Sequence, residues 1–194
     1  MEFVICKPDE RVPLLNSSSM SRESLSYILK ILPENKSILM IGSGESSLFL
    51  SKFYDILSIE HDEEYIDRYD IEYLHVPLTS TLQNTYWYDQ DTMKKCLEKK
   101  YDMIVVDGPP GRVSYRSDFM SIIDYIKDLE NTILVVDDAQ RMDERLLVDN
   151  IKQRTKRDCV TIESFTKSEN NVGTHHFPAP KYKLTAFFEV SKTS

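Results

Sequence analysis

The sequence predicts an α/β protein built on a doubly wound, mostly parallel sheet of seven strands, with the last strand antiparallel. Three observations predict it. Short apolar runs alternate with stretches of helical periodicity along nearly the whole chain. A glycine turn, Gly42-Ser43-Gly44, separates the first such run from the helix that follows, and an acid, Glu60, closes the next run. The final two runs, Cys159–Phe165 and Leu184–Val190, have no crossover helix between them and so pair antiparallel.

Each element has its own signal. Residues 1–18, with Pro8 and Pro13, read as an irregular N-terminal arm, and residues 19–194 as a single domain. Ser21 is an N-cap with Glu23 in the first turn, and Leu25, Ile28, Leu29 and Leu32 follow at helical spacing until Pro33 and Asn35 end the helix. Ser37–Ile41 is the first strand, Glu45–Phe53 a helix, Ile56–Glu60 the second strand and Glu63–Tyr69 a helical segment. Tyr73–Leu78 is the third strand, Thr79–Asp91 a loop and Thr92–Lys99 a short helix. Tyr101–Val106 is a buried fourth strand, Ser117–Leu129 a helix through Phe119, Ile122, Ile123 and Ile126, Thr132–Val136 the fifth strand and Asp143–Thr155 a helix.

Composition narrows the function classes. With 194 residues, 41% hydrophobic and 29% charged, the chain carries enough apolar mass for one substantial core. No apolar stretch approaches the ~20 residues of a membrane helix, and the N-terminus has no basic segment leading into an apolar one, so neither a membrane span nor a signal peptide is expected. Cys6, Cys96 and Cys159 are odd in number and far apart, which suits reduced, buried thiols in a cytoplasmic protein rather than disulfides or zinc. A net charge of −8 argues against a nucleic-acid substrate, since phosphate binding wants excess Lys and Arg. The one basic cluster, Lys152–Arg157, reads as a solvated helix end.

The glycine turn and the acid carry the first functional signal. Glycines let a backbone approach a nucleotide closely, and a carboxylate one strand later can accept hydrogen bonds from ribose hydroxyls. Dinucleotide enzymes add a third glycine, and Ser47 stands in that place here. The run Gly42-Ser43-Gly44-Glu45-Ser46-Ser47 instead resembles motif I of the class I S-adenosylmethionine-dependent methyltransferases, a Rossmann-like family. The resemblance covers about residues 20–190 and implies S-adenosylmethionine as cofactor, with Gly42, Ser43, Gly44, Glu60, His61, Asp107 and Gly108 around it.

The remaining chemistry falls beyond the carboxyl ends of the strands, where open parallel sheets bind ligands. Asp107-Gly108-Pro109-Pro110-Gly111-Arg112, with Arg116 beyond, follows the fourth strand, and Asp137-Asp138-Ala139-Gln140-Arg141-Met142-Asp143-Glu144 follows the fifth. Together they resemble a branch of bacterial methyltransferases and, distantly, glucuronoxylan O-methyltransferases, which points to a sugar hydroxyl. Asp107 and Asp137-Asp138 also resemble the Asp and Asp-Asn that hold magnesium in catechol-type O-methyltransferases, with Asp138 in place of the Asn. That implies Mg²⁺ or Mn²⁺ on Asp107, Asp137 and Asp138. The metal-free alternatives make Asp138 a general base, or pair Asp137 with Arg141 or Arg116. His175 and His176, in the long loop Thr166–Lys183, are read either as a general base or substrate contact, or as exposed loop residues. Tyr86, Trp87 and Tyr88 either stack on a ligand or plug the core.

Three functions fit. The first is O-methylation of a small molecule or glycan, with Asp107, Asp138, Arg141, His175 and His176 as catalytic candidates. The second is an adenosyl-binding protein with this fold and no turnover. The third is an NAD-dependent oxidoreductase, weakened by Ser47 and by the lack of chain for a substrate domain.

Overall fold

The computed structural model describes residues 2–81, 85–111, 114–165 and 182–190. Its strands are β1 (Glu2–Val4), β2 (Ser37–Ile41), β3 (Asp55–Glu60), β4 (Glu72–His75), β5 (Leu78–Ser80), β6 (Tyr86–Tyr88), β7 (Met103–Val106), β8 (Ile133–Val136), β9 (Val160–Phe165) and β10 (Tyr182–Phe188). The helices are α1 (Arg22–Ile31), α2 (Glu45–Leu50), α3 (Gln90–Leu97) and α4 (Met142–Thr155).

The main sheet runs β1-β9-β10-β8-β7-β2-β3-β4. Every neighbour is parallel except β10, which is antiparallel to both β8 and β9. The seven expected strands are all present and the last is reversed. An eighth, β1, corrects the count: Glu2–Val4, in the arm expected to be irregular, pairs with Val160–Ile162 at the edge.

Alternation within the central strands builds a core on each face. Leu39, Ile41, Ile104, Val106, Leu134 and Val136 face Met93 and Leu97 of α3 and Leu147 and Ile151 of α4. Ile38, Met40, Met103, Val105 and Val135 face Leu25 and Ile28 of α1 and Phe49 and Leu50 of α2. Ser21 caps α1, its side chain accepting the Ser24 amide.

Several local expectations change. Ser117–Leu129 is not an α-helix but three 3₁₀ segments, Arg116–Ser121, Ile123–Tyr125 and Leu129–Asn131. Phe119, Ile122 and Ile123 are buried, because an i, i+3 spacing serves a 3₁₀ turn as well as an α-helix. Glu63–Tyr69 reduces to one 3₁₀ turn, Glu63–Tyr65, and Asp67 just beyond it is left-handed. The third strand stops at His75 because Pro77 lacks the amide to continue it, and Leu78 opens a separate antiparallel pairing with Tyr86–Tyr88. Trp87 and Tyr88 are fully buried and act as plugs, while Tyr86 is exposed. All three cysteines are free, but only Cys159 is buried. Among the described residues no helix is long and apolar enough to cross a membrane.

Candidate functional site

The register of the sheet sets the site. Ile41 lies opposite both Ile59 and Val106, and Val106 opposite Val136. The residues that follow, Gly42, Glu60, Asp107 and Asp137, therefore emerge along one rim, as the strand-end rule expects.

Gly42 and Gly108 are forced. Gly42 has φ +102°, and a Cβ there would lie 2.9 Å from Gly108 N and 3.0 Å from Asp107 C. A Cβ on Gly108 would lie 2.7 Å from Gly42 Cα. The loops after β2 and β7 thus touch backbone to backbone. Gly44 is different: its backbone is extended, and a Cβ there would meet nothing within 4 Å.

Glu60 braces this turn from below. Its Oε2 accepts the Ser43 amide at 3.0 Å, and its Oε1 accepts the amides of His61 at 2.7 Å and Asp62 at 3.0 Å. His61 Nδ1 lies 2.7 Å from the same Oε1. Burial works against the charge, but His61 and the three amides outweigh it and lower the pKa. Oε2, with one protein donor, keeps a lone pair for another.

A depressed carboxylate stabilises the fold above its ordinary pKa, and this share is lost as pH falls through the folded value. Glu60 therefore contributes at neutral pH and fades on acidification below about 4.5. Glu60→Gln puts an NH₂ against one of these amides and is expected to cost about 2–3 kcal/mol at pH 7. Urea unfolding at about pH 7 and pH 3.5 should show that gap narrowing in acid.

The segment before α1 crosses this rim. The Asn16 amide donates to Glu45 Oε2 at 2.8 Å and the Met20 amide to Ser46 Oγ at 2.9 Å, so residues 16–20 lie on the first turn of α2. The Ser19 carbonyl then accepts from Lys183 Nζ at 2.8 Å.

Beyond the turn lies a buried ionic network. Carboxylate oxygens of Asp107, Asp137 and Asp138 come within 4.8 Å of one another. Arg116, 4% exposed, is sunk among them: it reaches Asp107 and Asp138 at 3.5 Å and Glu144 at 3.6 Å. It also donates to the carbonyls of Asp107 at 2.9 Å and of Pro109 and Asp137 at 3.3 Å. Arg141, 47% exposed, pairs with Asp138 at 2.9 Å and with Glu144 at 3.6 Å. Lys183 Nζ lies 2.6 Å from Asp137 Oδ2 and 3.5 Å from Asp138 Oδ1, and Thr185 donates to Asp137 Oδ1 at 2.7 Å.

These surroundings split the carboxyls. Burial, with Asp137 adding to it, pushes Asp107 well above the usual range. Burial would raise Asp137 too, but Lys183, Thr185 and Arg116 hold it below. Asp138 sits in the left-handed region at φ 57°. Its loop is stapled to β10, the Ala139 amide donating to the Leu184 carbonyl and the Leu184 amide to Gln140 Oε1, both at 2.8 Å.

The structure thus gathers Gly42, Ser43, Gly44, Glu60, His61, Asp107 and Gly108 at one part of the rim, and Asp107, Asp137, Asp138 and Arg141 at the next. His175 and His176 lie outside the described residues. Of the pairings open to Asp137, its side chain takes Lys183, while Arg116 and Arg141 go to Asp138. Sequence reasoning missed Lys183, Ser19 and Thr185. A lysine and a threonine opening an apolar strand are one available signal, since such ends are usually solvated.

The carboxylates approach closely enough for a divalent ion, yet the donor set does not fit one as it stands. Lys183 already contacts two of the three, Asp137 and Asp138; Arg116 contacts the third, Asp107, and Arg141 adds a second cation to Asp138.

No protein-family model matches the chain, and neither does any curated protein. Solved structures do match. Over 95% of its length the chain superposes on all of a precorrin 8w decarboxylase from Methanobacterium thermoautotrophicum, with TM-score 0.60 and 14% identity. Over 92% it superposes on 71% of the METTL16 methyltransferase domain, with TM-score 0.58 and 13% identity. Over 82% it superposes on 55% of a spermidine synthase from Thermotoga maritima, with TM-score 0.53 and 12% identity. At such identities the likeness is one of fold alone, a mixed α/β fold that the chain shares with a decarboxylase, a methyltransferase domain and a synthase.

Proposed function

We propose that the protein is an S-adenosylmethionine-dependent methyltransferase acting on a hydroxyl of a small molecule or sugar. The observation that carries this reading is the contrast between Gly42 and Gly44. Packing against Gly108 requires the first glycine, but nothing in the protein requires the second, whose missing side chain leaves open space at the strand tip. A glycine there suits a backbone that a ligand must approach.

The residues fit an adenosyl cofactor. Gly42, Ser43 and Gly44 would line it, Glu60 Oε2 and His61 would face its ribose, and Asp107 with Gly108 would face its amino-acid end. When bound, the sulfonium supplies an activated methyl carbon and departs as a neutral thioether. The chain must then hold the acceptor in line and take its proton. Asp138 suits proton removal, being a rim carboxylate fixed by Arg141 at 2.9 Å. Half-exposed Arg141 suits orientation of the acceptor. His175 and His176 are the alternative proton acceptors. The net charge of −8 favours a small acceptor over nucleic acid, and three free cysteines suit the cytoplasm.

Labelled methyl donor, incubated with hydroxylated small molecules and sugars, tests the reading. Labelled product is expected, falling roughly 10²- to 10⁴-fold in Asp138→Asn. Binding of the donor without product across the panel would leave the non-catalytic reading, and binding of NADH in its place would favour the oxidoreductase.

A further inference from the structure

We propose that Lys183 supplies from within the chain the positive charge that a divalent cation would otherwise bring to the Asp107, Asp137 and Asp138 carboxylates. This role rests on the charge balance of the rim and holds whatever group the protein transfers.

The Lys183 side chain is 9% exposed, and its ammonium has three protons to place. It lies 2.6 Å from Asp137 Oδ2, 3.5 Å from Asp138 Oδ1 and 2.8 Å from the Ser19 carbonyl. A cation able to span carboxylate oxygens up to 4.8 Å apart needs ligand distances of about 2.3–2.6 Å. It would have to draw on Asp137 and Asp138, and each of their oxygens already faces a protein partner: Nζ on Asp137 Oδ2 and Asp138 Oδ1, Thr185 on Asp137 Oδ1, and Arg116 and Arg141 on Asp138 Oδ2. Ion and ammonium therefore exclude each other.

Charge points the same way. Asp107, Asp137, Asp138 and Glu144 face Arg116, Arg141 and Lys183, four carboxyls against three cations. A divalent ion added to this set would overshoot. With Lys183 neutralised, four carboxyls would face two guanidiniums, a formal deficit that one divalent ion closes.

The tether also does what a free ion would not. Through the Ser19 carbonyl it ties the segment crossing α2 to the acids beyond β8, so the two parts of the rim are held by one side chain. Lys183 is in this sense a positioning residue.

The test is calorimetric titration of the full chain with Mn²⁺ and with Ca²⁺ at neutral pH. Wild type should show no saturable binding up to millimolar ion. Lys183→Met should bind at least tenfold more tightly, and Lys183→Arg, which keeps the cation, should behave as wild type. Wild-type binding as tight as that of Lys183→Met would overturn the proposal, as would a folded Lys183→Met that gains no affinity. Should Lys183→Met fold only when millimolar Mn²⁺ or Ca²⁺ is present, the ion has replaced the ammonium and the proposal stands. A variant that stays unfolded with the ion present overturns it.

Discussion

Arg116→Ala is expected to cost about 3–5 kcal/mol, the scale for removing one partner of a buried ion pair. That is a large part of the marginal stability of a domain this size. The loss does not come from one contact. Arg116 holds three carbonyls and stands against Asp107, Asp138 and Glu144, all in the interior of the rim. Removing it leaves Asp138 to Arg141 and Lys183, Glu144 to Arg141 alone, and Asp107 with no ion pair among the described residues. Burial already raises the pKa of both Asp107 and Glu144, so they would tend to take up protons instead of staying charged. Arg116→Lys should recover only part of the loss, because an ammonium cannot fan out to three carbonyls and three carboxyls as a guanidinium does. Urea denaturation of the three proteins is the check. A loss below about 1 kcal/mol in Arg116→Ala would mean the network is no more than a surface cluster.

Gly42→Ala is expected to be comparably damaging, at roughly 2–5 kcal/mol, for a purely backbone reason. The new methyl would meet Gly108 N at 2.9 Å and the Asp107 carbonyl group at 3.0 Å, neither of which can swing aside as a side chain could. Its φ of +102° adds strain for any L side chain. Gly44→Ala is the matched control. It should melt within about 1 °C of wild type, since its methyl enters open space. A ligand seated against that backbone should nevertheless be lost or weakened about tenfold or more, roughly 1.4 kcal/mol. Thermal melts of both variants, with and without S-adenosylhomocysteine, separate the structural glycine from the ligand-facing one.

Much of the fold was legible because the central strands are short apolar runs with unambiguous ends. Ser37–Ile41 stops at a glycine, and β7 and β8 each stop at an aspartate. Register then did the rest: once parallel strands align, the residues after them share one rim, and Gly42, Glu60, Asp107, Asp137 and Asp138 fall there together. The failures have physical causes. Glu2–Val4 is too short to show a period and becomes a strand only because β9 offers a free edge. The β5–β6 pairing joins Leu78-Thr79-Ser80, one apolar residue and two polar ones, to an aromatic triplet, a pattern that local sequence does not separate from a loop. The Phe119, Ile122 and Ile123 spacing does not distinguish 3₁₀ from α. Within the site, the acids and glycines were readable because they follow strands directly. Their partners were not, because Lys183 and Ser19 arrive from opposite ends of the chain and nothing local marks either as buried.

In the proposed complex an adenosyl ligand lies over Gly44 at the tip of β2, beside Glu60. Isothermal titration of the wild-type chain and of Gly44→Ala with S-adenosylhomocysteine, and separately with NADH, tests it most directly. One-to-one binding of S-adenosylhomocysteine to wild type is expected, with loss of that heat in a Gly44→Ala protein that still melts normally, and no heat with NADH. Silence with both S-adenosylmethionine and its demethylated product, or equal affinity in wild type and Gly44→Ala, would contradict it.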